Sequence, residues 1–201
     1  MVVQVYGKAQ AVCPQRVMHC LVELGLPFEL VHVDIDAMEH KLPEYLEKQT
    51  LNSFIVSFPC FSPSDRFLTS PMATSISSWM DVEAINYNPW AFPVVFNLLV
   101  LPLRGAPGDR EAAAAAVEEM SRVLEVYEKQ LSKSKYLAGD EFTLADLTHI
   151  PATRYVVELC GGAHIFEGKE RVKAWWEDIT GRPAWKKVIS FVESGKSSYS
   201  P

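Results

Sequence analysis

Tyr136-Leu137-Ala138-Gly139-Asp140-Glu141-Phe142-Thr143-Leu144-Ala145-Asp146-Leu147 carries a complete helix-start device. Thr143 is placed to cap the amide three residues on, and Asp146 to reach back to the amide of Thr143. Phe142 and Leu147 stand where a hydrophobic staple closes over the turn. The usual box ends in Glu or Gln; with the shorter Asp, the return bond needs a tighter turn. The device predicts where a helix begins and says nothing about chemistry.

Outward from it, the sequence is helical from Ser78 on. Val117, Met120, Leu124, Tyr127 and Leu131 recur at three and four residues, one apolar stripe on a long helix. Ala112–Ala116 favours that helix, and further helices are expected at about 143–159, 168–180 and 183–193. The N-terminal part differs. Val2–Tyr6, short, β-branched and closed by Gly7, reads as a buried strand, and Phe28–Ile35 as a second. Between them Pro14 suits a first helical turn, Val17, Leu21 and Leu24 share a face, and Gly25 ends the helix. Strand, helix and strand in some thirty residues make a βαβ unit. Residues 50–78 follow neither pattern: serine, proline and phenylalanine dominate, without a helical period.

The expected organisation is a small α/β domain over 1–77, atypical from 50, then an all-helical domain over 78–193. Residues 194–201 read as a disordered tail. A formal net charge of −6 argues against nucleic acid, whose phosphates call for a basic face. The longest apolar run, Pro89 to Leu103, is broken by Pro93, Asn97 and Pro102 and is too short for a bilayer, so no membrane partner is expected. No secretory signal opens the chain. Cys13, Cys20, Cys60 and Cys160 show neither a CxxC pair nor zinc spacing, so they read as free thiols in the cytoplasm, with no metal site.

The Tyr136–Leu147 segment, with Arg182-Pro183-Ala184-Trp185, closely resembles the helical domain of glutathione transferases. Val2-Val3-Gln4-Val5-Tyr6-Gly7, Cys13-Pro14-Gln15-Arg16-Val17, Phe28-Glu29-Leu30-Val31-His32-Val33-Asp34 and Glu39-His40-Lys41 with Pro43-Glu44-Tyr45-Leu46 resemble the plant phi class. The resemblance covers 1–49 and about 79–193. It implies a thioredoxin-like α/β domain plus an all-α bundle, and glutathione as co-substrate with no permanently bound cofactor. It also implies a homodimer and a hydrophobic electrophile or planar ligand held in a pocket between the domains.

The same resemblance implies a serine before the first helix that donates to the glutathione sulfur. A free thiol with pKa of about 8.5 is only slightly ionised at neutral pH, and a helix N-terminus favours the thiolate. Here Ala11 and Val12 occupy that place, and neither bears a hydroxyl. Losing a donor to a charged acceptor costs about 1.5–3 kcal/mol, one to two powers of ten. Cys13, next in the chain, is either a weak donor and mixed-disulfide former or a small semi-buried residue.

His40 and Lys41 match the pair that holds the glycine carboxylate of glutathione. Phe58-Pro59 can be laid on the strand-ending cis-proline motif, and Thr69-Ser70 on the Glu-Ser pair that receives the γ-glutamyl end. Arg16 reads as a structural ion-pair partner. Only Pro71–Ser77 then separates Ser70 from the next match, too short for the third helix of a thioredoxin-like domain. Val12, Trp90, Phe92 and Phe96 are the pocket candidates, with ordinary core as the competing reading of the aromatics.

Three functions stay open: a conjugating enzyme slowed by the missing serine, a carrier of planar molecules such as flavonoids, and a splice- or frame-altered product lacking a working glutathione site.

Overall fold

The computed structural model describes residues 2–48 and 71–201. Within it, 2–48 and 181–201 form one compact unit, and 71–180 a second.

In the first unit, β1 (Val3–Tyr6) and β2 (Phe28–Val31) pair in parallel, Val3 opposite Phe28 and Tyr6 opposite Val31. Helix α1 (Val12–Glu23) crosses between them. The βαβ unit is as expected, but the strands are half-buried: Val3, Val5, Phe28 and Leu30 face inward while Gln4 and Glu29 are exposed. Alternation of this kind marks a sheet with one wet face. The second strand stops at Val31, short of Ile35. After it, the Asp34 carboxylate accepts the amides of Asp36 (2.8 Å) and Ala37 (3.1 Å), an Asx turn that bends the chain away from the sheet.

Gly25 ends α1 at φ 66°, where Leu26 N–H donates to Leu21 C=O and Gly25 N–H to Val22 C=O. This Schellman pair needs the left-handed residue that glycine supplies. The buried face of α1 is Pro14, Gln15, Met18, His19, Leu21 and Val22. Leu24, expected inside, is exposed. Two polar residues on the inner face, Gln15 and His19, conceal it from a purely apolar count.

Residues 183–193, assigned above to the helical domain, pack in this unit. After two short turns, Glu39–Lys41 (3-10) and α2 (Pro43–Leu46), the unit is completed by the C-terminal helix Pro183–Ser194. That helix buries Ala184, Trp185, Val188 and Phe191. The Trp185 ring lies 5.3 Å from His19, and Phe191 meets Phe28 edge-on at 5.1 Å. The terminal segment is ordered too, contrary to expectation: Ser198–Tyr199 forms a strand antiparallel to β2, giving the order β1, β2, then this strand. The Tyr199 ring stacks on Phe28 at 5.3 Å, which gives the tail an apolar anchor.

The second unit opens with α3 (Pro71–Val82), which starts seven residues before Ser78 with proline at its first position. Helical structure continues through a π segment (Glu83–Tyr87), α4 (Asn88–Val95), a second π segment (Phe96–Val100) and α5 (Leu101–Leu103). Pro93 sits inside α4, and the Asn97 amide donates to its carbonyl at 2.9 Å. The run Met72–Leu103 spans 32 residues with mean hydropathy 1.2 in its most apolar stretch, so by length and composition it could cross a bilayer. Glu83, Tyr87, Ala91 and Val94 form its buried face, the pattern of a bundle helix. The expected loss of a third helix concerns residues of which 49–70 lie outside the described ones.

Helix α6 (Arg110–Leu131) is capped by Asp109, whose carboxylate accepts Ala112 N–H at 2.9 Å. Its expected stripe, Val117, Met120, Leu124, Tyr127 and Leu131, is buried. The Thr143 capping box opens α7 (Leu144–Leu147) with both reciprocal bonds formed. Asp146 does more than close the box. Fully buried, it also accepts Leu137 N–H (3.0 Å) and the Trp175 indole (2.9 Å). Helix α8 (Ile150–Arg154) and a π turn (Tyr155–Leu159) follow, then a 3-10 turn (Ala163–Phe166). Helix α9 (Glu170–Gly181) starts where the Glu128 carboxylate takes the amides of Arg171 and Val172. The C-terminal helix Pro183–Ser194 is α10, and the strand Ser198–Tyr199 is β3.

Candidate functional site

Two parallel strands direct their C-terminal ends to one side, where α/β proteins place ligands. From the end of β1 the chain turns at Gly7, whose φ of 151° suits glycine. Gly7 N–H donates to Val31 C=O at 3.0 Å, and Gly7 C=O accepts from Val33 N–H at 3.3 Å. Lys8 then pairs with Asp36 at 3.0 Å. These contacts fasten the loop that leads into α1 to the loop that leaves β2. The two loops carry Ala11–Cys13 and His40–Lys41, and the sequence reading did not identify the tie. Gly7 was its visible signal; a lysine and an aspartate 28 residues apart gave none.

Ala11 is the N-cap of α1, at φ −76° and ψ 144°, with no side-chain cap. Its N–H donates to Lys8 C=O at 2.9 Å, which closes the turn before the helix. Val12 and Cys13 are the first two helical residues, positions whose amides have no acceptor within the helix. Pro14 brings no N–H, so the helix start is shaped by two amides and the dipole behind them. Ala11 and Val12 are half-buried and the Cys13 thiol is exposed. Cys20, one turn before the end of α1, differs: burial, and then the charge of Glu23, push its thiol above the usual range. It stays protonated and inert.

His40 and Lys41 lie in the 3-10 turn entered through Met38, a non-glycine residue held left-handed at φ 61°. Asp34 supports that conformation, its N–H donating to the Glu39 carboxylate at 2.6 Å while its carbonyl accepts Glu39 N–H at 3.0 Å. Lys41 is exposed, and Nδ1 of His40 is buried without a hydrogen-bond partner among the described residues. A cation beside a buried imidazole nitrogen with unused bonding capacity suits a carboxylate. Phe58, Thr69 and Ser70 lie outside the described residues.

The aromatic candidates belong to the second unit. Phe92 is 61% exposed and Trp90 39%, and Phe92 stacks on the half-buried Phe96 at 5.4 Å. Ordinary core, the competing reading, fits the half-buried Phe96 better than the exposed Trp90 and Phe92. Among the described residues no group of three or more His, Cys, Asp or Glu side chains is arranged to hold a metal ion.

Residues 91–183 match the family model described as "Glutathione S-transferase, C-terminal domain". Glutathione S-transferase F12 of Arabidopsis thaliana is 33% identical over 213 aligned positions, covering 94% of this chain and 98% of that protein. Those positions outnumber the 201 residues here, so the relative carries residues this chain lacks. The crystal structure of glutathione transferase F7 from Populus trichocarpa is 37% identical, with a TM-score of 0.85 over 95% of this chain and 99% of that one. Glutathione S-transferase I from maize, solved with an atrazine–glutathione conjugate, is 28% identical with a TM-score of 0.85, covering 98% and 100%.

Proposed function

This chain belongs to the plant phi-class glutathione S-transferases, and on that footing we propose that it joins the sulfur of glutathione to small electrophiles at a reduced rate. The observation that carries this is the start of α1, where Ala11, Val12 and Cys13 surround helix amides with no serine hydroxyl among them. The amides and the dipole favour a thiolate over a thiol; the bond that a serine would add is missing. His40 and Lys41 receive the glycine carboxylate, on a loop fastened to the helix start by Gly7 and by Lys8–Asp36. Thr69, Ser70 and Phe58 complete the tripeptide site, with Val12 facing the electrophile. The thiolate attacks, the new carbon–sulfur bond forms, and the electrophile's leaving group departs with its electron pair.

The test is thioether formation with an activated aryl halide. Product above the buffer rate supports conjugation. Protein that is retained on immobilised glutathione and released by free glutathione, yet makes no product, would end it.

A second reading, the carrier of planar ligands, is favoured by the exposed Trp90 and Phe92 and by the half-buried Phe96 stacked on Phe92, rings that suit a flat apolar molecule and need no thiolate. It expects ligand quenching of Trp90 emission without glutathione. Quenching left intact by Trp90→Phe counts against it. The protein acts in the cytoplasm as a homodimer, a reading supported by Cys13, Cys20 and Cys160, none of them in a disulfide, and by the exposed Met72, Ile85 and Leu103.

A further inference from the structure

His40 and Lys41 sit on a loop with little packed beneath it. Residues 36–39 and 41–44 are exposed, and Val33 and Tyr45 are the nearest buried residues on either side. Hydrogen bonds therefore set its shape. Asp34 fixes the first half, its carboxylate taking the amides of Asp36 and Ala37. The second half depends on Glu39. Its carboxylate accepts Asp34 N–H at 2.6 Å, and Asp34 C=O accepts Glu39 N–H at 3.0 Å, a two-bond clasp across five residues. The clasp closes over Met38, the one non-glycine residue at positive φ among the described residues. An L residue resists that conformation, so its surroundings must hold it there. Met38 C=O in turn accepts Lys41 N–H at 2.8 Å, which sets where Lys41 leaves the turn.

A carboxylate one residue before an anion-holding pair repels the anion. As a charge, then, Glu39 weakens the subsite; as the acceptor of Asp34 N–H it builds it. Removing it changes affinity in opposite directions under the two roles. We propose that Glu39 is a positioning residue for glutathione: through the Asp34 clasp it keeps Met38 left-handed, and so presents His40 and Lys41 together to the glycine carboxylate. This rests on the reading of His40 and Lys41 as the receptors of that carboxylate. Without the clasp the loop spends less time in the binding form, and the apparent affinity falls by the same fraction.

The test is calorimetric titration of the full-length chain and its variants with two ligands. One is S-methylglutathione, which needs no thiolate; the other is its glycinamide analogue, which lacks the glycine carboxylate. Glu39→Ala is expected to weaken binding of the first about tenfold, the worth of one charge-assisted hydrogen bond, and of the second less than about twofold. Glu39→Gln keeps an acceptor and stays within about twofold of the unaltered chain. Met38→Gly added to Glu39→Ala recovers about threefold, because glycine takes the left-handed conformation freely. Equal or tighter binding of S-methylglutathione by Glu39→Ala overturns the positioning role and leaves conjugation standing. Equal weakening toward both ligands overturns it too, since a general loss of structure does the same. Glu39→Gln as weak as Glu39→Ala overturns the clasp, and no recovery in the double variant overturns the part given to Met38. An unaltered chain that binds neither ligand overturns both this role and the glutathione site it serves.

Discussion

Arg182 grips Glu23 with two bonds, Nε to Oε1 at 2.6 Å and Nη2 to Oε2 at 2.9 Å, joining the residue before α10 to the last residue of α1. Burial raises the Glu23 carboxyl, but the hydrogen bonds and charges of Arg182 and His19 outweigh it and hold the group down at about 2. Its folded pKa therefore lies below the unfolded value of about 4.3. The resulting stability is present above the unfolded pKa and is lost as pH falls through the folded one. Arg182→Met is expected to cost about 1.5–3 kcal/mol at pH 7, with a smaller penalty near pH 2. Urea unfolding of both proteins from pH 2 to 7 checks it; curves that stay parallel throughout refute the linkage.

Asp146 is the hub of the helical unit, accepting Thr143 N–H, Leu137 N–H and the Trp175 indole. Burial pushes its carboxyl up, against the pull of those donors. Asp146→Ala removes the acceptor of those three donors and of the Thr143 hydroxyl, and each buried donor left unsatisfied costs about 1–3 kcal/mol. Thr143→Ala removes a cap worth about 1 kcal/mol. Denaturant unfolding should rank the first loss at least twice the second. Equal losses would mean that Asp146 is only a capping residue.

Two tyrosines are held neutral in the core. Tyr87 donates to Thr153 Oγ1 at 2.7 Å, since that hydroxyl gives its own proton to His149 C=O. Tyr127 O–H lies 2.9 Å from His149 Nε2; Nδ1 of that ring must donate to Ala145 C=O at 2.7 Å, so Nε2 accepts. Burial pushes both phenols above the ordinary tyrosine range. As pH rises past the unfolded value of about 10, ionisation favours the unfolded chain. Of the seven tyrosines, these two should titrate only with alkaline unfolding, seen as phenolate absorbance coinciding with loss of helical circular dichroism. Smooth ionisation of all seven in the folded protein would contradict this.

A hydroxyl restored at the start of α1 tests the account of the slow reaction. One of Ala11→Ser and Val12→Ser should raise kcat/KM for the aryl halide by roughly ten- to a hundredfold, the worth of one hydrogen bond to a thiolate. The pH at which bound glutathione ionises should fall with it. Two variants without gain in rate or shift in that ionisation would locate the limitation elsewhere.

The Thr143 box, the α6 stripe and the βαβ order were readable because each depends on residues a few positions apart. The inner face of α1 was not, because Gln15 and His19 are buried by what packs on them. Likewise, Pro71 starts a helix in a stretch whose serines and threonines favour turns as readily. In the candidate site, the missing hydroxyl at Ala11 and Val12 was evident from the residues alone. The tie between the two site loops was not.

Local spacing along the chain determined the Thr143 helix start, the βαβ order and the chemistry absent from the first helix, since hydrogen bonds across three or four residues need no distant partner. Only the tertiary structure decided that α10 and the terminal strand join the α/β unit. Glu23 and Arg182 stand 159 positions apart, and Phe28 finds Tyr199 only across a folded sheet. Pairings of that reach depend on which surfaces are buried together, and a linear pattern does not encode that.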